Sequence, residues 1–245
     1  MQSIAADVGY SETVFAAPTG EDRFTVRYFS PEAEVPFCGH ATIALGARLH
    51  SQLGSGRYVL HTVAGAVPIE VADRDGLAHA TLTSVEPSSE PAPESLVGDV
   101  LATLSWSRED LNPRMTPAIA AAGARHLLLA VVSRERLASV DYDFEALRDL
   151  MLTADLTTVD LFWRQSPGVF HSRNLFPVGG VVEDPATGAA AAALGGHLRA
   201  IGDISGPTEF VIRQGHDMGR PSLLTVTVPA NGGIEVSGTA VVIDG

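Results

Sequence analysis

Cysteine is almost absent from this sequence, because Cys38 is the single thiol in 245 residues. One thiol excludes an internal disulfide, a CxxC redox pair and a metal site built from cysteines alone. So low a cysteine content is typical of a protein from a reducing compartment. Apart from His40, the histidines show no metal-ligand spacing, and neither an HExxH segment nor a phosphate-binding loop occurs. The sequence therefore predicts no metal site.

Positive charge is also scarce, with 16 Lys and Arg residues against 29 Asp and Glu residues and a formal net charge of −13. The basic residues form no cluster, and a negative chain is repelled by a nucleic-acid backbone and by an anionic membrane surface. We therefore expect neither nucleic acid nor a membrane as partner. No run of 18 apolar residues occurs, and residues 1–10 lack the basic and apolar regions of a secretory signal. Together these absences predict a cytoplasmic protein.

The material for a folded core is present, since 45% hydrophobic and 18% charged residues are close to the globular average. Alternating β-branched and aromatic residues predict strands, and two Ala/Gly-rich stretches without polar alternation predict buried helices. The predicted strands cover residues 12–17, 22–29, 57–63, 66–73, 78–86, 126–132, 157–163, 168–176, 209–214, 223–229, 234–236 and 240–243. The predicted helices cover residues 38–49, 107–111, 143–154 and a small-residue segment after 187, and residues 86–93 are predicted to be a Pro/Ser/Glu linker.

The second half of the chain repeats the plan of the first. Residues 34–49 align with residues 183–198 at an offset of 149, with eight of sixteen positions identical. Residues 27–31 match residues 173–177 at a slightly shorter offset. We infer two pseudo-equivalent halves, although two Ala/Gly-rich helices could also match through composition alone.

Each repeat places a Pro/Gly turn directly before its buried helix, at residues 36–40 and at residues 184–189. The start of a helix leaves N–H groups unpaired and carries about half a positive charge. Two such starts facing one cleft would bind an anion, and a carboxylate is the natural ligand. Gly39 and Gly188 would let the backbone approach that ligand closely. The alternative is that both segments are simply tight turns.

Six segments, in order along the whole chain, carry a family resemblance. They are residues 1–5 (MQSIA), 11–15 (SETVF), 27–31 (RYFSP), 38–42 (CGHAT), 183–188 (EDPATG) and 214–222 (QGHDMGRPS). In these segments the sequence resembles the PhzF family of phenazine-biosynthesis-type proteins. The resemblance implies an α+β, diaminopimelate-epimerase-like fold with two pseudo-symmetric halves. Each half would hold a curved, mostly antiparallel sheet around a central helix, with the active site between them. It also implies a homodimer and no cofactor.

The resemblance divides the chain into two halves. Residues 1–93 are expected to form the N-terminal half, without the first strands that are usual in the family. Residues 94–238 are expected to form the C-terminal half. A C-terminal strand over residues 239–245 can rejoin the first half.

The resemblance also assigns roles to residues near the two helix starts. In phenazine-type members, the glutamate that matches Glu12 moves a proton between carbons of a cyclic, unsaturated amino acid, a task that favours a carboxyl group shielded from water. The implied catalytic residues are Glu12, His40 and Asp184, and the implied substrate-binding residues are Gly39, Thr187, Gly188 and Ala189.

The residue types alone leave simpler roles open. A glutamate is usually a solvated surface charge, His40 can be a half-buried residue at a helix start, and Asp184 can be an ordinary N-cap. The helix dipole at this position predicts a neutral His40 ring.

Cys38 bears on a competing mechanism. Epimerases and racemases of this fold use two opposed thiols, so a chain with one cysteine excludes that chemistry. A thiol at a helix start can be reactive because that location lowers its pKa. A buried, inert Cys38 is the favoured interpretation. Arg220 could contact a substrate carboxylate, but we expect it to fix its own turn.

Two departures from the family pattern affect the functional hypotheses. Family members usually carry two more strands, joined by a Gly-Asn-Pro turn, ahead of the segment that matches Met1, and a serine where this chain has Ala189. The leading hypothesis is a PhzF-like isomerase that shifts a proton on a small cyclic carboxylated metabolite without a cofactor. The alternatives are a catalytically silent small-acid-binding or interaction protein, and a dehydratase or epimerase that uses Cys38.

Overall fold

The computed structural model describes residues 1–74 and 76–240. The helices are α1 (Gln2–Val8), α2 (Gly39–Leu53), α3 (Glu94–Thr103), α4 (Arg134–Ala138), α5 (Phe144–Thr153) and α6 (Gly188–Ala200). The strands are β1 (Thr13–Gly20), β2 (Arg23–Phe29), β3 (Glu34–Val35), β4 (Gly56–Thr62), β5 (Gly65–Arg74), β6 (Leu77–Thr83), β7 (Ser88–Pro91), β8 (Ala118–Ala121), β9 (Arg125–Ala130), β10 (Thr158–Ser166), β11 (Val169–Leu175), β12 (Glu183–Asp184), β13 (Thr208–Gln214), β14 (Ser222–Val228) and β15 (Glu235–Thr239).

These strands form one mostly antiparallel sheet. Their order is β1-β2-β4-β5-β6-β15-β14-β13-β11-β10-β9-β8-β7, with β3 paired to β2 and β12 paired to β11. Three neighbouring pairs are parallel: β2 with β4, β11 with β13, and β9 with β10. Two parallel strands need a crossover connection. The buried helix α2 lies in the connection between β2 and β4, and α6 lies in the connection between β11 and β13.

Side-chain alternation explains why the predicted strands form. In β2 the buried Phe24, Val26 and Tyr28 alternate with more exposed residues, so one face of the strand contributes to the core. In the turn between β1 and β2, the backbone of Asp22 is in the left-handed region, with φ of 55°. The β1–β2 hairpin predicted from the break in the pattern is therefore confirmed.

The two halves have the same connectivity. A hairpin (β1, β2), a short strand (β3), a helix (α2), a parallel return (β4) and two antiparallel strands (β5, β6) follow one another. The elements β10, β11, β12, α6, β13, β14 and β15 repeat these steps with the same orientations. The helices begin at Gly39 and Gly188, at the offset of 149 residues that the sequence alignment gives. The predicted pair of pseudo-symmetric halves is confirmed.

The strand β15 joins the two sets of strands, because it pairs with β14 on one side and with β6 on the other. It is longer than the strand predicted at residues 234–236. Ala240, the first residue of the next predicted strand, lies outside any strand, and residues 241–245 lie outside the described residues. The boundaries of the two halves at residues 93 and 94 stay a prediction.

Small residues allow both central helices to lie close against the sheet. A Cβ added to Gly46 of α2 would lie 2.6 Å from the Cβ of Ala80 in β6. A Cβ on Gly195 of α6 would lie 3.1 Å from the side chains of Val226 and Val228 in β14. Every residue of α6 from Gly188 to Leu198 is buried, as the missing polar alternation predicts.

Two predicted elements differ in the structure. Residues 86–93 are not simply a linker, because Ser88–Pro91 forms β7 and pairs with β8 at the end of the sheet. Pro91 fits there because an edge strand has N–H groups that need no ladder partner. The helix predicted at residues 107–111 is only a 3-10 turn, Arg108–Asp110, although Ser107 caps it as expected.

Three helices were not predicted: α1, α3 and α4. The helix α3 begins directly after the Pro-rich stretch, which hid its start in the sequence pattern. Across residues 1–74 and 76–240, no helix is both long enough and apolar enough to span a membrane.

Candidate active site

The first residues of α2 and α6 touch each other. A Cβ on Gly39 would lie 2.6 Å from the Cα of Gly188, and a Cβ on Gly188 would lie 3.0 Å from the Cα of Gly39. Any side chain at either position would push the two helix ends apart. The two residues are therefore glycines because the backbones meet there.

Both helix ends present unpaired amides to the same place. The first intrahelical bonds are Thr42 N–H to Cys38 O and Ala191 N–H to Thr187 O, each 3.0 Å. The amides before these bonds have no acceptor within their own helix. Among the described residues, no side chain caps either start. Two buried helix starts that meet in this way, each with partial positive charge, provide an environment suited to an anionic group.

Glu12 lies immediately before β1, with a side chain that is 5% exposed. Its Oε2 lies 3.2 Å from Nε2 of His40. This oxygen is buried and has no hydrogen-bond partner within the described part of the chain. Glu12 is therefore not the solvated surface charge that residue statistics suggest, and it lines the cavity below the helix starts.

His40, the second residue of α2, lies between two carboxylates. Its Nδ1 lies 2.9 Å from the carbonyl oxygen of Ala186 and 3.4 Å from Oδ1 of Asp184. A carbonyl oxygen only accepts, so Nδ1 carries a hydrogen and donates it to Ala186. The other nitrogen, Nε2, faces Glu12.

The neutral His40 ring predicted from the helix dipole is wrong. Burial by itself would lower the pKa of His40, but the negative charges of Cys38, Asp184 and Glu12 and the hydrogen bond with Asp184 raise it well above 6.5. The two carboxylates dominate near neutral pH, since Cys38 then holds its proton. Full charges at these distances outweigh the partial charge of a helix end.

Asp184 is held as an anion. Burial would raise its pKa, but the His40 charge, the hydrogen bonds from His40 and Thr187 and the Ala186 amide lower it. Its Oδ2 accepts a 2.6 Å bond from the Thr187 hydroxyl, and its Oδ1 faces His40. Asp184 lies in β12 rather than at the cap position, which Thr187 occupies.

Gln214 fixes the turn that carries Asp184. Its Nε2 donates to Asp184 O at 2.7 Å and to Thr187 Oγ1 at 2.9 Å, while its Oε1 accepts the Thr187 N–H at 3.0 Å. Both polar groups of Thr187 are thus engaged within the protein. The structure gives Thr187 a positioning role, and its predicted substrate contact stays a prediction. Gln214 is in a segment that carries the resemblance, but its role could not be predicted from sequence.

Cys38 is the N-cap residue of α2, and Thr187 is the N-cap residue of α6. The position opposite the single thiol thus holds a hydroxyl. Burial, and secondarily the charge of Glu12, raises the pKa of Cys38 to about 12, so the thiol is neutral near pH 7. The favoured interpretation of a buried, inert cysteine agrees with this environment.

Within residues 1–74 and 76–240, one group of side chains has its ligand atoms close enough together to hold a metal ion. Ligand atoms of Glu12, Cys38 and His40 lie within 4.8 Å of one another. A metal ion there would require the Cys38 thiolate and a neutral His40. The surroundings favour the opposite protonation state of both residues.

The cavity gathers most of the predicted residues. Glu12, Cys38, Gly39, His40, Asp184, Thr187 and Ala189 line it, together with the apolar Val35, Phe37 and Phe176. Its empty volume is about 330 Å³, with the solvent at its mouth included. Gly188 is not among the lining residues, although its backbone touches that of Gly39, which is. Arg220 is not among the lining residues, and its guanidinium lies 5.9 Å from the ring centre of Tyr10.

Three polar lining residues, His126, Thr157 and Thr158, were not predicted as site residues. They lie at or directly before the beginning of β9 and β10 beside other polar residues, and no local motif marks them. The internal repeat does, however, indicate Thr158. Thr13 pairs with Phe29 as Val159 pairs with Leu175, which makes Thr158 the counterpart of Glu12.

Comparison with known proteins identifies the family of this chain. The family model described as phenazine biosynthesis-like protein, PhzC-PhzF, matches residues 1–245. An uncharacterized isomerase from Mesorhizobium japonicum is 31% identical over 251 residues, which cover 95% of this chain and 82% of the relative. The trans-2,3-dihydro-3-hydroxyanthranilate isomerase of Pseudomonas aeruginosa is 30% identical over 250 residues, 97% of this chain and 84% of that enzyme.

A solved structure gives the same result for the fold. A Pseudomonas aeruginosa protein described as a predicted epimerase superposes with a TM-score of 0.86 at 25% identity, covering 100% of this chain and 88% of that one. The fold, the paired helix starts and the full-length match lead to one conclusion. The chain belongs to the PhzC-PhzF family of phenazine biosynthesis-like proteins, whose curated relatives named above are isomerases.

Proposed function

We propose that this chain is an isomerase that shifts a proton between two carbon atoms of a small cyclic carboxylated metabolite, with its own side chains and no cofactor. The observation that carries the proposal is the position of Glu12. A shielded carboxylate beside His40 shares one cavity with two helix starts that no side chain caps among the described residues. The relative from Pseudomonas aeruginosa has trans-2,3-dihydro-3-hydroxyanthranilate, a cyclic amino acid, in its name.

In the proposed binding mode, the substrate carboxylate accepts hydrogen bonds from the amides around Gly39, Gly188 and Ala189. The helix starts supply partial positive charge there, and the contact between Gly39 and Gly188 brings the two sets of amides together. Ala189 keeps the backbone N–H and lacks a hydroxyl, so the amide is the group that it offers.

The proton shift uses Glu12 twice. The ionised carboxylate removes a proton from one ring carbon, and the electron pair of that C–H bond passes into the adjacent unsaturated system. Glu12 then returns the proton to a second carbon, so a double bond moves and no atom is gained or lost. Amides at the helix starts stabilise negative charge that reaches the substrate carboxylate during the step.

His40 and Asp184 position and balance Glu12. The Nδ1–H bond to Ala186 and the nearby Asp184 orient the ring so that Nε2 faces Glu12 at 3.2 Å. The imidazolium compensates the buried charge of Glu12 before and after proton transfer. Asp184 keeps the ring in its charged form.

Deuterium exchange tests the proposal. Trans-2,3-dihydro-3-hydroxyanthranilate is incubated with the protein in D2O, and deuterium in the product is followed by NMR. We expect Glu12→Gln to slow turnover by about 10²- to 10⁴-fold, the usual contribution of a general acid–base residue. Glu21→Gln, in the exposed β1–β2 turn, is the matched control and should behave like wild type. Equal rates for Glu12→Gln and wild type would remove Glu12 from this role. Binding without formation of the isomerised product would favour the catalytically silent alternative.

The remaining expectations are also proposals. The family resemblance supports a homodimer, and light scattering on the purified protein tests it. The charge of −13 and the single cysteine support a cytoplasmic location and a small-molecule partner. Fractionation of the producing cells tests the location.

A further inference from the structure

His126 in β9 is a buried side chain that the proposed proton shift does not use. It is 0% exposed, and it lines the same cavity as Glu12. Its Nδ1 lies 2.8 Å from the hydroxyl oxygen of Thr158. Its Nε2 is buried and has no hydrogen-bond partner among residues 1–74 and 76–240. A buried polar nitrogen is unfavourable unless a hydrogen-bond donor pairs with it, and the cavity beside His126 is where such a donor can enter.

A chain of buried hydrogen bonds decides which nitrogen of His126 carries the hydrogen. At its far end, Asp160 Oδ1 accepts bonds from the Ser172 hydroxyl and, at 3.0 Å, from Asn174 Nδ2. The amide orientation that donates to Asp160 turns Asn174 Oδ1 toward Thr158.

The direction of each bond follows from that end. Asn174 Oδ1 can only accept, so the Thr158 hydroxyl donates to it, at 2.5 Å. The Thr158 oxygen is then the acceptor for His126 Nδ1–H at 2.8 Å. In a neutral ring with its hydrogen on Nδ1, Nε2 keeps a free lone pair and acts as an acceptor.

His126 stays neutral. Burial lowers the pKa of His126 to about 3, and the opposing attraction of Asp184 is too weak to reverse this. Around neutral pH, Nε2 is therefore an acceptor and not a donor.

The pseudo-symmetry relates only one member of this pair to the first half. Thr158 is the counterpart of Glu12, whereas the counterpart of His40 at the offset of 149 is Ala189. His126 comes from β9, outside the repeated strands, so the pair Thr158–His126 and the pair Glu12–His40 differ in more than their charge. In the pair Glu12–His40 both groups are charged, and Glu12 transfers the proton while His40 balances its charge. The pair Thr158–His126 is neutral, and in it His126 donates its hydrogen bond to Thr158.

We infer that Nε2 of His126 accepts a hydrogen bond from a hydroxyl or amino group of the substrate, and that this contact selects carboxylated rings which carry such a donor. This inference rests on the proposed function, because it assumes that the cavity holds the carboxylated ring. It narrows the substrate class from cyclic acids to hydroxy or amino cyclic acids. A ring without the donor would leave Nε2 unpaired, which a site of this kind discriminates against strongly.

The tautomer is tested on the ligand-free wild-type protein. Long-range ¹H–¹⁵N NMR of the histidine rings distinguishes a protonated from a bare nitrogen. We expect one ring with Nδ1 protonated and Nε2 bare that does not titrate between pH 5 and pH 8, and whose signals vanish in a His126 variant. A hydrogen on Nε2, or titration in this range, overturns the inference whatever the activity of the protein.

Ligand affinity tests the selection. Calorimetry measures binding of benzoate, 3-hydroxybenzoate and 2-aminobenzoate to wild type, His126→Asn and His126→Gln. Asparagine can keep the bond to Thr158 while it removes the Nε2 acceptor, and glutamine can return an acceptor near that position. We expect at least one donor-bearing acid to bind wild type about tenfold or more tightly than benzoate, with the preference lost in His126→Asn and partly restored in His126→Gln.

The outcomes separate this inference from the proposed function. An equal preference in wild type and His126→Asn, or no preference in wild type, overturns the role of His126 while the carboxylate site stands. Failure of wild type to bind any of the three acids contradicts the carboxylate site and the inference together. Loss of exchange in Glu12→Gln is measured separately and does not depend on His126. If His126→Asn fails to fold, Thr158→Val takes its place, since it removes the bond that fixes the tautomer and should weaken the same preference.

Discussion

Nε2 of His40 lies 3.2 Å from Oε2 of Glu12, although the two residues come from a loop before β1 and from the first turn of α2. The Ser11 hydroxyl lies 3.3 Å from the same nitrogen, and the carboxylate of Asp184 approaches the other ring nitrogen, Nδ1, at 3.4 Å. A raised His40 pKa with a carboxylate on each side means that the ring is the positive centre of a buried charge cluster. Removal of this ring should therefore affect both stability and activity.

His40→Asn should lose stability in a pH-dependent way. The folded state holds the His40 proton more tightly than the unfolded chain, so the ring adds stability that is fully present below about pH 6.5 and is lost as the pH rises through its raised folded pKa. Without the cation, Glu12 and Asp184 are unpaired buried charges, which costs about 3 kcal/mol. Urea unfolding of wild type and variant from pH 5 to pH 9 measures the difference.

The difference in unfolding free energy between wild type and His40→Asn should be largest at the acid end and should shrink toward alkaline pH. His61→Asn, at an exposed site in β4, is the control and should show no such trend. A difference that stays constant over the whole range would contradict a charged His40. Turnover of His40→Asn should fall by about 10²-fold or more.

Gly39→Ala should destabilise the protein and abolish ligand binding. The new Cβ would lie 2.6 Å from the Cα of Gly188, and backbone cannot move aside as a flexible side chain can. Separation of the two helix starts would also disperse the amides that form the anion site. Thermal unfolding and benzoate calorimetry check both effects.

Gly98→Ala is the matched control for the glycine test. Gly98 is an exposed residue of α3 with nothing within 4 Å of an added Cβ. Alanine there should stabilise the helix by about 0.5–1 kcal/mol, because only the intrinsic preference of the helix changes. A Gly39→Ala variant that is as stable as wild type would show that the helix starts are not in contact.

The repeated plan and the paired helix starts could be predicted from the sequence. Both rest on local signals, since a Pro/Gly turn before an Ala-rich helix occurs twice with matching residues. The close approach of Gly39 and Gly188 then follows from the pseudo-symmetry of the two halves. The strand β7 could not be predicted in the same way, because its four residues form a strand only where β8 offers them a partner.

The charge state of His40 and the role of His126 could not be predicted from sequence. His40 depends on Asp184, which only the tertiary fold brings within 3.4 Å. The His126 network joins side chains from β9, β10 and β11 that share no motif. Such properties arise from contacts between distant segments, whereas turns and helix starts are encoded within a few residues.

Cys38→Ser should keep turnover within a few-fold of wild type. Burial raises the pKa of the Cys38 thiol to about 12, so the thiolate that nucleophilic or proton-abstracting chemistry requires is almost absent near pH 7. The wild-type thiol should also react slowly with a thiol reagent in the native protein and rapidly after unfolding. Loss of turnover in Cys38→Ser, with an unchanged melting temperature, would favour the single-cysteine alternative over the role of Glu12.

Asp160→Asn should remove a pH-dependent loss of stability. Burial raises the pKa of Asp160 to about 7, although hydrogen bonds from Ser172 and Asn174 oppose the rise. The folded state thus keeps a proton that the unfolded chain releases from about pH 3.8, and wild-type stability should fall as the pH rises from there through 7. Asparagine is neutral throughout this range and should show a flatter profile.

Wild type and Asp160→Asn are compared by the slope of unfolding free energy against pH. The absolute values are not compared, because the asparagine amide changes the hydrogen bonds of the network at every pH. Between pH 4 and pH 8, the unfolding free energy of Asp160→Asn relative to wild type should rise by more than about 1 kcal/mol, since one unit of pKa shift corresponds to about 1.4 kcal/mol. Asp99→Asn, at an exposed site on α3, should leave the wild-type slope unchanged. Parallel profiles for Asp160→Asn and wild type would mean that Asp160 is ionised in the folded state. An ionised Asp160 would accept the hydrogen bond from Asn174 Nδ2 more strongly. The orientation of the Asn174 amide, which sets the direction of the hydrogen bonds to His126, would then be fixed more firmly.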